Sequence, residues 1–160
     1  MTSSAPTSAS STPRRQAIVR ATWAGDHSFD TGRPDGPPAR LDGESGTGQS
    51  PVDALLSALA ACSGVDVVDI LAKRRTPVER LTVDARGERR EEHPRRFTHL
   101  ELVYHIDGAG IEASHAERAI ALAFEKYCSV AASLASDITV DAIAIVNGVA
   151  GKPIRQKLAN

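Results

Sequence analysis

The two cysteines of this chain, Cys62 and Cys128, are the residues best suited to redox chemistry. Cys62 lies in AACSG, inside a long apolar stretch, and Cys128 lies far downstream in KYCSV. A free cysteine is commonly a small buried hydrophobe, so two structural thiols and a functional pair are both open interpretations. Two thiols that meet in the core would permit reversible disulfide chemistry.

Asp66 lies one helical turn after Cys62 and falls inside the apolar arc of the same predicted helix. A carboxylate in an apolar stripe needs a partner because its desolvation is costly. Its charge also disfavours a thiolate at Cys62, which lies about three turns into the helix, where the helix dipole has faded. A reactive Cys62 therefore requires a cation, and the candidates from the first strands are Arg20, Arg33 and Arg40.

Two apolar helices must position these side chains. Ser50 is a suitable N-cap and Pro51 fits the first helical position, so the apolar run predicts a central, largely enclosed helix over residues 51–74. Ser114 and Glu117 predict a capping box that opens a second helix through about residue 135. Its buried stripe is predicted to contain Ile120, Phe124, Tyr127, Ala131 and Leu134.

Strands are predicted on either side of the helices. Alternation in QAIVRATW, residues 16–23, predicts a strand with one buried face, and the PDG and PP signals that follow predict a turn between two short strands. Residues 42–49 are predicted to be a flexible loop. Residues 81–88 and 97–107 predict an antiparallel hairpin, and 137–148 a last strand. Strands separated by helices without regular βαβ alternation indicate an α+β fold.

Composition narrows the class of protein. With 160 residues, a net charge of −1 and 24% charged residues, the chain is expected to be soluble and to lack a global field for nucleic acid or membrane. It has no run of about 18 uncharged apolar residues, so no membrane span is expected. Residues 1–14 are predicted to be a disordered tail rather than an export signal. We therefore expect a cytoplasmic protein with one domain over residues 15–148 and a C-terminal tail over 149–160.

The remaining polar motifs indicate neither a metal nor a cofactor. The five histidines lack the spacing of metal ligands. GESGTGQS lacks the lysine of a P-loop. We expect no bound cofactor.

The stretch SPVDALLSALAACSGVDVVDILAKRR, followed later by EKYCSV, resembles the OsmC/Ohr family of osmotically inducible and organic hydroperoxide resistance proteins, and within it an OsmC-like branch. The shared features are a helix start at proline, a cysteine eleven residues later and a second cysteine in a later helix. The resemblance implies an intertwined α+β homodimer, in which antiparallel sheets from both chains enclose two long central helices.

The resemblance also implies a thiol-dependent peroxidase. Cys62 matches the peroxidatic cysteine, which attacks an organic hydroperoxide and becomes a sulfenic acid, and Cys128 matches the resolving cysteine. The implied reductant is a dithiol, for which a lipoyl group is one candidate. In the family an arginine from the N-terminal strands stabilises the thiolate, and Arg33 in DTGRPDG is the best match.

One position departs from the family pattern. A glutamate that holds the arginine normally follows the proline directly, and here Val52 occupies that position. Asp53 is next in line, and Asp66 is an alternative holder. This departure keeps a second hypothesis open, in which a non-catalytic OsmC-like dimer binds an apolar small molecule.

Overall fold

The computed structural model describes residues 16–159, which form two compact units that divide between Ser50 and Pro51. The predicted disordered tail over residues 1–14 lies outside the described residues. The second unit is the larger one and contains both cysteines.

The first unit is an antiparallel sheet of three short strands, β1 (Arg20–Trp23), β2 (Ser28–Gly32) and β3 (Ala39–Asp42), in that order. The predicted turn between two short strands is confirmed. All four residues of β1 are exposed, with Trp23 at 66%, so the predicted buried face of this strand is wrong. Alternation shows which residues share a face, but that face is buried only where another layer covers it.

Asp42 orders the segment after β3, where the sequence predicted a flexible loop. Its carboxylate accepts hydrogen bonds of 2.9–3.1 Å from the backbone N–H groups of Glu44, Gly46 and Thr47 and from the Thr47 hydroxyl. These bonds lower the pKa of Asp42 to about 2, because they stabilise its ionised form. The Asp42 carboxylate thus provides the acceptors that a neighbouring strand or helical turn would otherwise offer to the N–H groups of this loop.

The second unit is built on a five-stranded sheet. β4 (Arg80–Arg89) and β5 (Phe97–Asp107) form the predicted antiparallel hairpin, and β6 (Thr139–Val146) pairs with β5 in parallel. Two short strands, β7 (Val149–Ala150) and β8 (Ile154–Arg155), pair with β6 in a region where the sequence shows little pattern. The predicted α+β fold class is confirmed.

The first predicted helix is confirmed as α1 (Pro51–Lys73). It packs on β4, and its buried face carries Leu59, Val67 and Leu71. Its opposite face is also apolar but exposed, and includes Leu55, Val65 and Val68. The single chain therefore covers one side of a helix that the sequence predicts to be enclosed.

By length and composition alone, α1 could also cross a membrane, and it is the one helix among residues 16–159 that could. Core helices of soluble proteins satisfy the same criterion. The packing of α1 on β4 and the position of Asp66 within it are typical of a core helix, since a carboxylate at the centre of a bilayer is expensive.

The second predicted helix is interrupted. α2 (Ala113–Leu122) begins after Glu112, which makes no side-chain cap, so the predicted capping box of Ser114 is wrong. A π-helical turn (Ala123–Tyr127) follows, Cys128 leaves the helical conformation at φ −68° and ψ 101°, and a short α3 (Ser129–Ala132) comes next.

This interruption changes which residues face the core. A π-helical turn accommodates one extra residue, so the helical register shifts after it. Ile120, Phe124 and Ala131 are buried as predicted, whereas Tyr127 is 49% exposed and its predicted burial is wrong. Cys128 takes the inward position instead and is only 2% exposed.

Candidate functional site

Cys62 lies in the middle of α1, half buried, beside a point where the helix packs on β4. The two residues that follow it, Ser63 and Gly64, are both buried. A Cβ atom at Gly64 would contact the side chains of Leu81 and Val83 on β4 at 3.5 and 3.6 Å. Small residues at this point let α1 lie directly on β4, and this close packing fixes the position of the Cys62 backbone.

Cys128 is positioned by the interruption of the second helix. Its backbone N–H donates to the carbonyl of Ala123 at 2.8 Å, which closes the π-helical turn. Its sulfur caps α3 by accepting a 3.4 Å hydrogen bond from the N–H of Ala131. Burial raises the pKa of the Cys128 thiol to about 12, and its hydrogen bond to Cys62 acts in the same direction. Cys128 therefore remains a thiol at neutral pH and can donate to the other sulfur.

The fold brings Cys62, Asp66 and Cys128 together. The two sulfurs and a carboxylate oxygen of Asp66 all lie within 4.8 Å of one another, and both cysteines are free. A disulfide bond has a length of about 2.05 Å, so the sulfurs need to approach by less than about 3 Å to form one. The two cysteines are thus placed for reversible disulfide formation.

Asp66 contributes a buried, unsatisfied oxygen to this cluster. Its Oδ2 is buried and has no hydrogen-bond partner among the described residues. Burial raises the pKa of Asp66, and the charge of Asp69 adds to this effect. The sequence predicts a cation beside this carboxyl. Within the second unit, the cluster that contains Asp66 is completed by the thiols of Cys62 and Cys128. The role of Asp66 as the holder of an arginine stays a prediction.

A cleft of about 260 Å³ leads from the surface to Asp66. It is lined by Asp66, Asp69, Ile70, Lys73, Leu122 and Tyr127. The exposed Tyr127 belongs to the π-helical turn, so the shift that buries Cys128 also supplies a wall of this cleft. A small molecule can therefore approach the cluster from the side of Asp66.

Tyr104 and Ser63 lie beside the cluster, and sequence reasoning missed both as site residues. Ser63 Oγ donates its single proton to the Leu59 carbonyl at 2.8 Å, and it therefore accepts from the Tyr104 hydroxyl on β5, which lies 2.7 Å away. Burial raises the pKa of Tyr104 far above its usual value, and the nearby ionisable thiol of Cys128 adds to this shift. The available signal was a tyrosine on an otherwise aliphatic strand face, because a buried hydroxyl needs a partner.

The three candidate arginines belong to the first unit. Arg33 lies in the turn after β2, where its carbonyl accepts a 3.0 Å hydrogen bond from the N–H of Gly36. Arg40 donates to both carboxylate oxygens of Asp30, at 2.6 and 3.1 Å, so its guanidinium is paired within the sheet. Arg20 is exposed at the start of β1. The assignment of Arg33 as the cation for Cys62 stays a prediction.

The start of α1 shows what replaces the glutamate of the family pattern. Val52 is half buried and packs against the hydrophobic core of the second unit. Asp53 is exposed in the first turn of α1. The position after Pro51 thus contributes to packing rather than to charge.

Comparison with known proteins identifies the family. The family model described as OsmC-like protein matches residues 43–142. Protein YhfA of Escherichia coli K12 is 42% identical over 101 residues, which cover 62% of this chain and 75% of YhfA.

Two solved structures extend the similarity to most of the chain. A hypothetical protein from Aquifex aeolicus VF5 has a TM-score of 0.75 and 28% identity, covering 83% of this chain and 97% of its own. An organic hydroperoxide resistance protein, OsmC, from Legionella pneumophila has a TM-score of 0.57 and 18% identity, covering 84% and 98%. The motifs around Cys62 and Cys128, the α+β fold and the family match agree, and the chain belongs to the OsmC-like family.

Proposed function

We propose that the protein is a thiol-dependent peroxidase that reduces organic hydroperoxides through Cys62 and Cys128. The observation that carries this proposal is the approach of two free thiols from different helices to within 4.8 Å, beside a buried carboxyl group. The name of the similar Legionella protein, an organic hydroperoxide resistance protein, supports it. A cytoplasmic location, where cellular thiols keep such pairs reduced, suits the same cycle.

The different exposure of the two cysteines supports different roles for them. Cys62 is half buried, whereas Cys128 is 2% exposed, so a peroxide reaches Cys62 first. The raised pKa of Cys128, about 12, keeps it protonated until it is needed. Cys62 is therefore proposed as the peroxidatic cysteine and Cys128 as the resolving cysteine.

The proposed cycle has three steps. The Cys62 thiolate attacks a peroxide oxygen, the O–O bond breaks, and the alkoxide takes a proton to leave as an alcohol while Cys62 becomes a sulfenic acid. The Cys128 thiol then attacks that sulfur, a disulfide forms, and the hydroxyl group leaves with the thiol proton as water. An external dithiol reduces the disulfide and is itself oxidised to a disulfide.

Arg33 is proposed as the cation that stabilises the Cys62 thiolate. Arg40 is already paired with Asp30, which leaves Arg20 and Arg33, and the resemblance of DTGRPDG to the family pattern favours Arg33. Asp66 is proposed to orient the guanidinium, because its buried Oδ2 has no partner among residues 16–159 and carboxylate–guanidinium pairs are geometrically specific.

A homodimer is proposed as the working form. An apolar cleft of about 470 Å³ lies along the exposed side of α1 and β4, lined mainly by Ala60, Ala61, Gly64, Val65, Val68, Leu81 and Val83. A contiguous apolar surface of this kind is typical of an interface. A second copy that packs against it would enclose α1, as the family resemblance implies.

The test is peroxide consumption by reduced, metal-free protein with cumene hydroperoxide and an excess of dihydrolipoamide. We expect wild type to turn over repeatedly and Cys62→Ser to lose at least 100-fold in rate. Cys128→Ser should form a Cys62 sulfenic acid that a dimedone probe traps, without an intramolecular disulfide. Ala72→Ser places a hydroxyl on an exposed position of α1 outside the thiol cluster and the apolar cleft, and it serves as the matched control, with a rate close to wild type. Equal rates for wild type and Cys62→Ser would reject the proposal.

A non-catalytic dimer that binds an apolar small molecule is the second candidate. Val52, which packs against the core where the family pattern has a glutamate, favours it. Under this hypothesis native mass spectrometry recovers a bound apolar molecule, and peroxide produces no Cys62–Cys128 disulfide. Repeated turnover with a dithiol would exclude it.

A further inference from the structure

The three side chains of the dithiol cluster also have the composition of a metal site. We propose that the reduced protein binds one zinc(II) ion through the sulfurs of Cys62 and Cys128 and the carboxylate of Asp66. Their ligand atoms lie within 4.8 Å of one another. In a tetrahedral zinc site with Zn–S near 2.3 Å and Zn–O near 2.0 Å, ligand atoms lie about 3.5–3.8 Å apart. The cluster therefore has to contract by no more than about 1.3 Å, which is within the range of side-chain rotation.

The scaffold holds these ligands on two different elements. Cys62 and Asp66 are four residues apart on α1 and therefore share one helix face. Cys128 approaches from the N-cap of α3, where the preceding π-helical turn fixes its backbone. Asp66 also lines the 260 Å³ cleft, so a fourth ligand such as water can enter from that side. Three protein ligands with one open position is a common arrangement for zinc.

A bound cation would also provide a partner for the buried Oδ2 oxygen of Asp66. The Asp66 Oδ2 atom is buried and has no hydrogen-bond partner in the part of the chain that the structure describes. Buried carboxylate oxygens are nearly always hydrogen-bonded or coordinate an ion. Coordination by a cation that the two sulfurs also bind satisfies this oxygen without another protein group.

The ligand types select the metal. Thiolates favour zinc(II) and similar soft or borderline cations, whereas magnesium and calcium require oxygen ligands. Binding replaces the protons of the two thiols, which are released to solvent, and the oxidation state of the metal does not change. Two thiolates and one carboxylate carry three negative charges, and a divalent cation reduces the cluster to one.

Metal binding and disulfide formation exclude each other. Zinc occupies both sulfurs, so the ion blocks attack by Cys62 on a peroxide, and a Cys62–Cys128 disulfide leaves no thiolate for the ion. This consequence for catalysis rests on the proposed peroxidase, whereas the binding itself does not.

The binding test uses tag-free, reduced, metal-free protein titrated with zinc(II) in competition with a chromophoric chelator, with stoichiometry from native mass spectrometry. We expect one ion per chain, a loss of affinity of at least 100-fold in Cys62→Ser and Cys128→Ser, and a loss of at least tenfold in Asp66→Asn. Asp84→Asn is the matched control, because Asp84 is exposed on β4 and contacts His105 rather than the cluster, and it should bind like wild type. Cys128→Ala gives a second variant should the buried serine unfold the protein.

Cobalt(II) provides an independent spectroscopic readout. The reduced wild type should show a near-ultraviolet thiolate-to-cobalt band that Cys62→Ser and Cys128→Ala weaken and that prior oxidation to the disulfide abolishes. Absence of zinc binding by reduced wild type, or equal affinity in Cys62→Ser, overturns the site. Equal affinity in Asp66→Asn overturns the three-ligand assignment.

The peroxidase is assayed separately in the presence of a chelator, so the two proposals fail independently. Zinc binding without peroxide turnover rejects the peroxidase and retains the metal site. Peroxide turnover together with no zinc binding by the reduced protein retains the peroxidase and rejects the metal site.

Discussion

The hydroxyls of Tyr104 and Ser63 form a buried pair directly beneath the thiol cluster. Both side chains are fully buried, and their 2.7 Å hydrogen bond joins β5 to α1 at the residue next to Cys62. Ser63 also contacts the carbonyls of Leu59 at 2.8 Å and of Ala60 at 3.3 Å, so the serine has three partners, whereas the tyrosine has one named partner. The pair therefore fixes the helix on the sheet where the thiols meet.

This arrangement predicts unequal costs for removing the two hydroxyls. Ser63→Ala leaves the Tyr104 hydroxyl buried without its acceptor, which should lower the free energy of unfolding by about 1–3 kcal/mol. Tyr104→Phe leaves Ser63 bonded to the Leu59 carbonyl, so its cost should be about 0.5–1.5 kcal/mol. Urea unfolding of both variants checks this order, and a larger loss in Tyr104→Phe would contradict it.

At this scale the sequence predicts part of the site and misses the rest. Cys62 and Asp66 are predicted to share a face because the helical period fixes the relation of residues four apart. The approach of Cys128 is the outcome of packing between helices, which spacing alone cannot supply. Tyr104 is missed because alternation reports that a residue is buried but not which polar partner it finds.

The π-helical turn over Ala123–Tyr127 is the element that directs Cys128 inward. It carries three consecutive exposed residues, Glu125, Lys126 and Tyr127, before the buried cysteine. Each residue of an α-helix turns by about 100°. Without the extra residue, the side chain at position 128 would therefore point about 100° away from its observed direction. The extra residue in this turn is therefore a requirement of the proposed chemistry.

Deletion of Lys126 should convert the turn to α-helix and abolish the peroxide-driven disulfide. The rotation separates the Cys128 sulfur from Cys62, while the exposed position of Lys126 limits the loss of packing. Mass spectrometry after peroxide treatment should detect Cys62 sulfenic acid but no disulfide, with the helical circular dichroism largely retained. Lys126→Ala keeps the residue count and should form the disulfide as wild type does. An intact disulfide in the deletion variant would show that the turn is dispensable.

The loop after β3 should depend on pH through Asp42. An unfolded aspartate has a pKa of about 3.9, and hydrogen bonds from the loop lower the folded value to about 2. The stabilisation is thus fully present above about pH 4 and is lost as the pH falls towards 2. The protection of the Glu44 and Thr47 amides, measured by NMR as the intrinsic exchange rate at each pH divided by the observed rate, should fall over this range.

The matched comparison for this loop uses two asparagine variants. Asp42→Asn should show fast exchange at both amides even at neutral pH, because a neutral amide accepts these bonds more weakly. Asp35→Asn, in the exposed turn between β2 and β3, should retain the protection of wild type. Protection that persists in Asp42→Asn would refute this account of the loop.

Most helices and strands are predictable from the sequence, because their apolar residues recur with one constant spacing along the whole element. α1, the β4–β5 hairpin and β6 follow from apolar patterning over long uninterrupted runs. The second helix is mispredicted after Leu122, because its sequence satisfies a continuous 3.6-residue period while the backbone departs from that period. The short strands β7 and β8 are missed because each contains only two residues.

At the scale of the whole molecule, the exposed apolar side of α1 is the feature that a monomer does not explain. Val65 is 62% exposed and lies beside Val68 along the cleft. A charge placed there would be buried without a partner in the proposed dimer, and such burial is strongly destabilising.

Val65→Glu and Val68→Glu should therefore convert the protein to monomers. Sedimentation velocity at micromolar concentration checks this outcome. Val149→Glu also places a charge on an exposed valine, at β7, and should leave the dimer intact. A wild type that sediments as a monomer would contradict the proposed assembly.

The π-helical turn also leaves a carbonyl to be satisfied, and the end of the described chain satisfies it. Cys128 bonds back to Ala123, and the neighbouring carbonyl of Phe124 accepts from the N–H of Ala159 at 3.2 Å. Shortly before Ala159, β8 pairs with β6, and the N–H of Gln156 donates to the carbonyl of Val140 at 2.8 Å. Residues 154–159 thus hold the segment that carries the Cys128 sulfur. A fusion or a proteolytic cut that detaches them from the sheet would make that distant segment more mobile.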